Sequence, residues 1–188
     1  MSANWYWFLL AFLAFSRLTE LVVSRRNRAK MQEKGAKPGR DPIFPWMVFT
    51  HAMPFWIIPL EILMFDRPFI PALGYTALAI FVLAQVMRGW VFFSLRRYWN
   101  AQVMVPPDLE PVVVGPYQYI RHPNYAVVIV ELLTVPLVHT AWISAIALTV
   151  ANGIALYYRI KAEEQQLFQI PAYVEKMGHK RRFIPGVI

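Results

Sequence analysis

Residues 115 to 125 read Gly-Pro-Tyr-Gln-Tyr-Ile-Arg-His-Pro-Asn-Tyr, and an apolar run opens at Ala126. The stretch gathers Arg121, His122, Asn124 and three tyrosines, Tyr117, Tyr119 and Tyr125. After a second apolar run the chain reads Arg159-Ile-Lys-Ala-Glu-Glu164. Cations and phenols before two apolar helices, with a carboxylate pair after them, make a polar pocket at one end of those helices. Such a pocket binds something charged, and an enzyme is the leading explanation.

The elements that must position these residues are apolar throughout. Hydrophobic residues make up 57% of the 188-residue chain and charged residues only 16%, and the mean hydropathy is +0.39. Soluble domains carry about 25% charged residues, so this is the composition of a membrane protein. The length leaves room for one domain. There is no cysteine, which excludes a disulfide framework and a thiolate metal site; no metal site of any kind is expected. A formal charge of +8 reads as positive-inside loops, and nucleic acid is not an expected partner.

Four or five apolar segments can be marked: 5–23, 44–65, 72–95, 125–138 and 141–158, the last two joined only by His139 and Thr140. The first is no cleavable signal peptide, because basic residues follow it and none precedes it. Pro54 and Pro59 interrupt the second, which membrane helices tolerate. A spanning helix needs about 20 residues, so the short fourth segment is read with the fifth as a tight hairpin turning at His139 and Thr140. Residues 24–43 hold Arg25, Arg26, Arg28, Lys30, Lys34, Lys37 and Arg40. Residues 96–123 and the tail add further cations, whereas the segment near Asp66 and Arg67 has no net charge. The bias puts residues 24–43, 96–123 and the C-terminus in the cytoplasm and the N-terminus outside. The expectation is therefore one all-α integral-membrane domain over 1–188. Residues 1–95 supply three helices, and residues 96–188 supply the binding loop, the hairpin and the tail.

A turn near residue 140 sets Arg159 level with Arg121 and Glu163 level with Tyr117. Asn152, Arg159 and Glu163 share one helix face. Asn124, Val128 and Glu131 share another, with Glu131 about 9 to 10 Å inward from residue 125 at 1.5 Å per residue. Each residue also has a plainer reading. His122-Pro123 alone ends a loop, and Glu163-Glu164 alone is a solvated helix end. Glu131 within the membrane is either functional or bonded to Asn152 or a buried water. Arg17 and Glu20 read as a structural pair with snorkelling, and Arg88 as a snorkelling residue or a pocket cation. Trp5, Tyr6, Trp7, Trp46, Trp142 and Tyr157 read as interface anchors. Convergence on a single membrane face favours the pocket.

The joint pattern Gly-Pro-Tyr-x-Tyr-x-Arg-His-Pro-x-Tyr, an apolar hairpin, Arg-Ile-x-x-Glu-Glu-x-x-Leu and a terminal Arg-Phe-Ile-Pro resembles the isoprenylcysteine carboxyl methyltransferase family. Those are small polytopic membrane enzymes that use S-adenosylmethionine. The resemblance covers residues 96 to 185 and implies that His122, Pro123, Tyr125, Glu163 and Glu164 enclose the cofactor. Where many members continue Tyr-x-Gly, this chain has Tyr125-Ala126-Val127. Arg17-Leu-Thr-Glu-Leu21, Arg26-Asn-x-x-x-Met31, Lys34-Gly-Ala36 and Tyr98-Trp99-Asn100 resemble the bacterial branch that methylates alkylpyrones and alkylresorcinols.

That resemblance implies in-line methyl transfer from a sulfonium, where positioning and electrostatics supply most of the catalysis. Glu163 and Glu164 suit the cofactor's amino group or ribose diol, and Arg121 or His122 its carboxylate. Tyr117, Tyr119 and Tyr125 suit the cationic sulfur through cation–π contact. Arg88 or Arg159 would hold the acceptor oxygen, with Trp99 and Asn100 near the headgroup, and Glu131 would act as base for a phenol. The expected partners are a lipophilic small-molecule acceptor and membrane lipids, with no obligate protein partner. The alternatives are an NADPH-dependent enzyme resembling sterol reductases and a phospholipid N-methyltransferase.

Overall fold

Proline stands in the first turn of most of the helices, where its fixed φ suits the helix and its missing N–H costs nothing. A computed structural model describes residues 4–39, 41–106 and 109–184. Arg40 and Pro185, both used in the sequence reading, lie outside them. The helices in chain order are α1 (Trp5–Glu33), α2 (Phe44–Ala52), α3 (Pro54–Met64), α4 (Pro71–Leu95), α5 (Pro123–Leu137), α6 (Trp142–Leu167) and α7 (Pro171–Met177). Two-residue strands β1 (Lys37–Pro38) and β2 (Met104–Val105) pair antiparallel, with Lys37 opposite Val105. This short ladder and an isolated bridge between Ile120 and Arg181 are the departures from an all-α chain among the described residues.

By length and composition α1, the α2–α3 pair, α4 and α6 can each cross a bilayer, whereas α5 is a shorter apolar helix. The chain thus has four candidate spans and one shorter 15-residue apolar helix, where about five spans are expected. At 1.5 Å per residue α5 reaches about 22 Å, short of a bilayer's hydrocarbon core of about 30 Å.

Two helices outrun their apolar segments. α1 continues ten residues beyond 23, because nothing from Ser24 to Glu33 is a glycine or proline. α6 continues to Leu167, so the whole Arg159–Glu164 motif is helical. The α1 extension grips the chain after α4. Asn27 Nδ2 donates to the carbonyls of Arg96 (3.0 Å) and Trp99 (2.9 Å), and Ser24 Oγ donates to Asn100 Oδ1 (3.0 Å).

α5 packs between α4 and α6. At the end of α6 nearer residue 142, Glu61 of α3 accepts from the backbone N–H of Ile143 (3.1 Å) and Ser144 (2.6 Å) and pairs with Arg67 (2.8 Å). It satisfies free donors of that helix terminus and complements its dipole. Tyr6 is not an interface anchor: it is 0% exposed, and its hydroxyl donates to the Val135 carbonyl at 2.8 Å. Trp5, Trp7, Trp46, Trp142 and Tyr157 are exposed.

Candidate functional site

The segment before α5 is pressed against α4 by Gly115. Its φ of +61° is available to glycine, and a Cβ there would collide with Ser94 and Trp90. A 3₁₀ turn at Gly115–Gln118 follows, burying Tyr117. Pro123 is buried and opens α5. The backbone N–H groups of Arg121 and His122 donate to the carbonyls of Arg181 (2.8 Å) and Arg182 (3.0 Å), so the tail is hydrogen-bonded to this segment.

The side-chain contacts across the hairpin differ from the expected ones. Arg159 Nε reaches Tyr125 Oη at 3.2 Å, and Tyr125 Oη donates to Glu163 Oε2 at 2.5 Å. Arg159 and Glu163 therefore flank Tyr125, instead of pairing with Arg121 and Tyr117. The connection stays centred between residues 139 and 140, with α5 ending at Leu137 and α6 beginning at Trp142, so the offset is spanned by the long Tyr125, Arg159 and Glu163 side chains.

Glu164 faces away from Glu163. Its Oε1 lies 3.1 Å from His122 Nε2 and 3.2 Å from Arg121, and its Oε2 accepts from Arg182 at 2.6 Å. Hydrogen bonding to Glu164 holds the Arg182 guanidinium charged even above its ordinary range. The His122 ring stacks on Tyr125, with centroids 5.3 Å apart, and the Arg121 guanidinium lies over Phe168. Arg159 also donates to the Ala101 carbonyl at 3.0 Å and pairs with Asp41. Burial pushes the Tyr117 and Tyr173 hydroxyls well above the usual phenol range, with the nearby Glu163 charge adding to it. Both remain neutral donors.

A second polar group lies deeper in the helices. Arg88 meets Glu131 through Nε (2.8 Å) and a terminal nitrogen (2.6 Å). Arg17 reaches the same carboxylate at 2.6 Å and Glu20 at 2.8 Å, and Arg88 also reaches Glu20 at 3.1 Å. Gln85 Nε2 donates to Glu131 Oε1 at 2.5 Å. Arg17 and Glu20 are thus members of a four-charge network, not an isolated snorkelling pair. Glu131 is bonded to arginines and Gln85, not to Asn152, whose amide has no hydrogen-bond partner among the described residues.

One cavity of about 540 Å³ touches both groups. Of the residues singled out in the sequence, Tyr117, Arg121, His122, Tyr125, Glu163, Arg159, Arg88, Trp99 and Asn100 line it. Pro123, Glu131 and Glu164 do not; they stand behind the lining. Tyr119 is 58% exposed and absent from the lining, so it is no wall for a bound cation. Sequence reasoning took Arg17 and Glu20 only as a structural pair and missed His51; all three also line the cavity. Their signal was present, since an ionisable residue inside an apolar segment marks function by default. For Asp41 no signal existed.

Arg121 Nε and Asn124 Oδ1 are buried without a hydrogen-bond partner, and both residues line the cavity. An unsatisfied buried polar atom costs about 1–3 kcal/mol. A ligand with both acceptor and donor edges would remove that cost.

A family model described as the isoprenylcysteine carboxyl methyltransferase (ICMT) family matches residues 77–169. The chain is also similar to the uncharacterized protein YpbQ of Bacillus subtilis (strain 168), 34% identical over 163 residues that cover 86% of this chain and 96% of that one.

Proposed function

This chain belongs to the isoprenylcysteine carboxyl methyltransferase family, and on that premise we propose that it methylates an acidic oxygen of a long-chain lipid. The family's methyltransferases use S-adenosylmethionine as the methyl donor, and the apolar helices make this an integral membrane protein. When bound, that cofactor supplies an electrophilic methyl group on a cationic sulfur.

The observation that carries the reading is the single cavity with two unlike polar ends. At one end stand Glu163, Tyr125, Tyr117, Arg121 and Asn124. Glu163 accepts from the donor's amino group or ribose diol, and the free Nε of Arg121 binds its carboxylate. The Tyr117 and Tyr125 rings give the sulfur an aromatic wall. Glu164 braces Arg121 and His122 from behind, and the His122 ring stacks on Tyr125.

At the other end Arg17 and Arg88 border the cavity beside apolar side chains of α1 and α2. Their N–H groups suit an oxygen acid, while Glu20 at the same end and Glu131 behind it balance their charge. Arg88 and Arg159 then hold the acceptor oxygen, with Trp99 and Asn100 beside the headgroup. Glu131 serves as the anchor of Arg17 and Arg88, since its carboxylate already accepts from three side chains. The acceptor is a phenolic or pyrone lipid whose alkyl chain stays in the bilayer, and the Lys and Arg bias puts the reaction at the cytoplasmic face.

Purified protein with isotopically labelled S-adenosylmethionine, offered alkylresorcinols, alkylpyrones and long-chain carboxylic acids, tests this reading. The expected product is a lipid heavier by one methyl group. Each methylene moved from water contributes about 0.8 kcal/mol, so at equal low concentration short-chain analogues react more slowly. Absence of S-adenosylhomocysteine binding, or of any methylated lipid, overturns it.

A further inference from the structure

Met47, Val48 and His51 of α2 and Phe55 of α3 border the cavity, and Met53 keeps helical dihedrals between the two helices. Their spacing of one, three and four residues is that of a single helical stripe. Every member but His51 is apolar, and an imidazole has no packing reason to replace a leucine there.

Its ring is held in one form. Nδ1 lies 2.7 Å from the Met47 carbonyl, and a carbonyl only accepts, so Nδ1 carries the proton of the neutral ring. Nε2 keeps its lone pair, and no hydrogen bond to it is found among the described residues. The charged groups that act on the ring are Arg17 from α1, Arg88 from α4 and Glu131 from α5. Glu20 of α1 and Arg159 of α6 border the same cavity. Glu61, the ionisable residue of α3, caps α6 instead.

We propose that His51 is the catalytic base for the acceptor, receiving the proton of a weakly acidic hydroxyl on Nε2. The assignment rests on reading the cavity as a methyl-transfer site. The hydroxyl proton passes to Nε2, and the oxygen's electron pair forms the bond to the methyl carbon as the carbon–sulfur bond breaks towards sulfur. The imidazolium afterwards returns its proton to water. The network makes the alternative base unsuitable: Glu131 holds two guanidiniums and does not reach the cavity. The Met47 contact fixes which nitrogen is free, and the apolar stripe would run the acceptor's chain past it.

Two measurements test the assignment. The first needs no turnover: ¹⁵N spectra of the histidines of the detergent-solubilised protein, with His51 identified by its loss in His51→Gln. The expected resting state is a neutral ring protonated on Nδ1, whose Nε2 resonance shifts when a long-chain 5-alkylresorcinol is added with S-adenosylhomocysteine. A ring charged at rest, or protonated on Nε2, overturns the proposal. The second compares that resorcinol with a long-chain carboxylic acid, whose oxygen is already ionised near neutral pH. His51→Gln should lower turnover of the resorcinol by about 100-fold or more, in kcat and not in KM, and by a much smaller factor for the carboxylic acid. A merely structural role would lower both alike, and equal factors, or no loss on the resorcinol, overturn the proposal. If wild-type protein methylates only the carboxylic acid, the role of His51 falls while methyl transfer stands. If it methylates neither, both fall.

Discussion

Arg88 and Glu131 form a two-pronged ion pair at 2.8 and 2.6 Å between α4 and α5, with both side chains buried. Such a pair fixes direction as well as distance, because the planar guanidinium matches both carboxylate oxygens. Removing one partner strands the other in a medium that solvates charge poorly. Glu131→Ala is expected to destabilise the protein by about 3–5 kcal/mol, read as a lower thermal midpoint in detergent. Joint replacement of Glu131 and Arg88 by apolar residues should recover part of that loss. An unchanged midpoint in the single variant would mean that the pair contributes nothing to stability.

Donor affinity is expected to depend on Glu163 and His122 for different reasons. Glu163 lines the cavity, whereas His122 both lines it and stacks on Tyr125. Replacing either with alanine should weaken S-adenosylhomocysteine binding by about 1–3 kcal/mol, the cost of a lost charge-assisted hydrogen bond. Titration calorimetry reads the change. Wild-type affinity in both variants, with the thermal midpoint retained, would remove the donor from this end of the cavity.

Arg159 should separate chemistry from donor binding. Its guanidinium spans Tyr125, Ala101 and Asp41, so its loss misplaces the chain around the acceptor while leaving Glu163 and Arg121 in place. Arg159→Ala should lower turnover by about 100-fold and donor affinity far less. Arg159→Lys keeps the charge and loses the fork, so it should recover little. Equal losses in turnover and donor affinity would place Arg159 at the donor instead.

The absence of native cysteine makes orientation directly measurable. Single cysteines at Lys176, exposed on α7, and at Phe65, exposed after α3, can be labelled in intact cells with a membrane-impermeant maleimide. The Lys and Arg bias predicts labelling at 65 and protection at 176. The reverse pattern would put the cavity on the outer side.

Much of this arrangement was legible in the sequence, and the losses have physical causes. Composition reveals that the helices are apolar, and the His-Pro and Glu-Glu motifs mark which two must face each other. Contacts across the hairpin are harder to read. Arg159 meets Tyr125 and not Arg121 because long side chains reach along the hairpin, and local pattern carries little information about that reach. Tyr6 looks like an interfacial tyrosine because its position along the chain resembles one, yet its hydroxyl has a carbonyl partner 129 residues away. The charged network was visible as single residues: Arg17, Glu20, Arg88 and Glu131 were each noted. Their meeting required three helices to pack, which no spacing within one helix specifies. Helix ends were misplaced where polar helix formers continue an apolar run without a break, as in α1 and α6.

The backbone hydrogen bonds from Arg121 and His122 to the carbonyls of Arg181 and Arg182 bear on the order of manufacture. A ribosome makes the 115–125 segment about sixty residues before it makes the carbonyls that clasp it. Until Arg182 has been added, that segment has helices on one side and no clasp on the other. The helices can insert and pair as they emerge, but the segment that borders the cavity is clasped only once Arg181 and Arg182 have been made. A message cut short within the preceding helix would leave a membrane-inserted but unclasped chain.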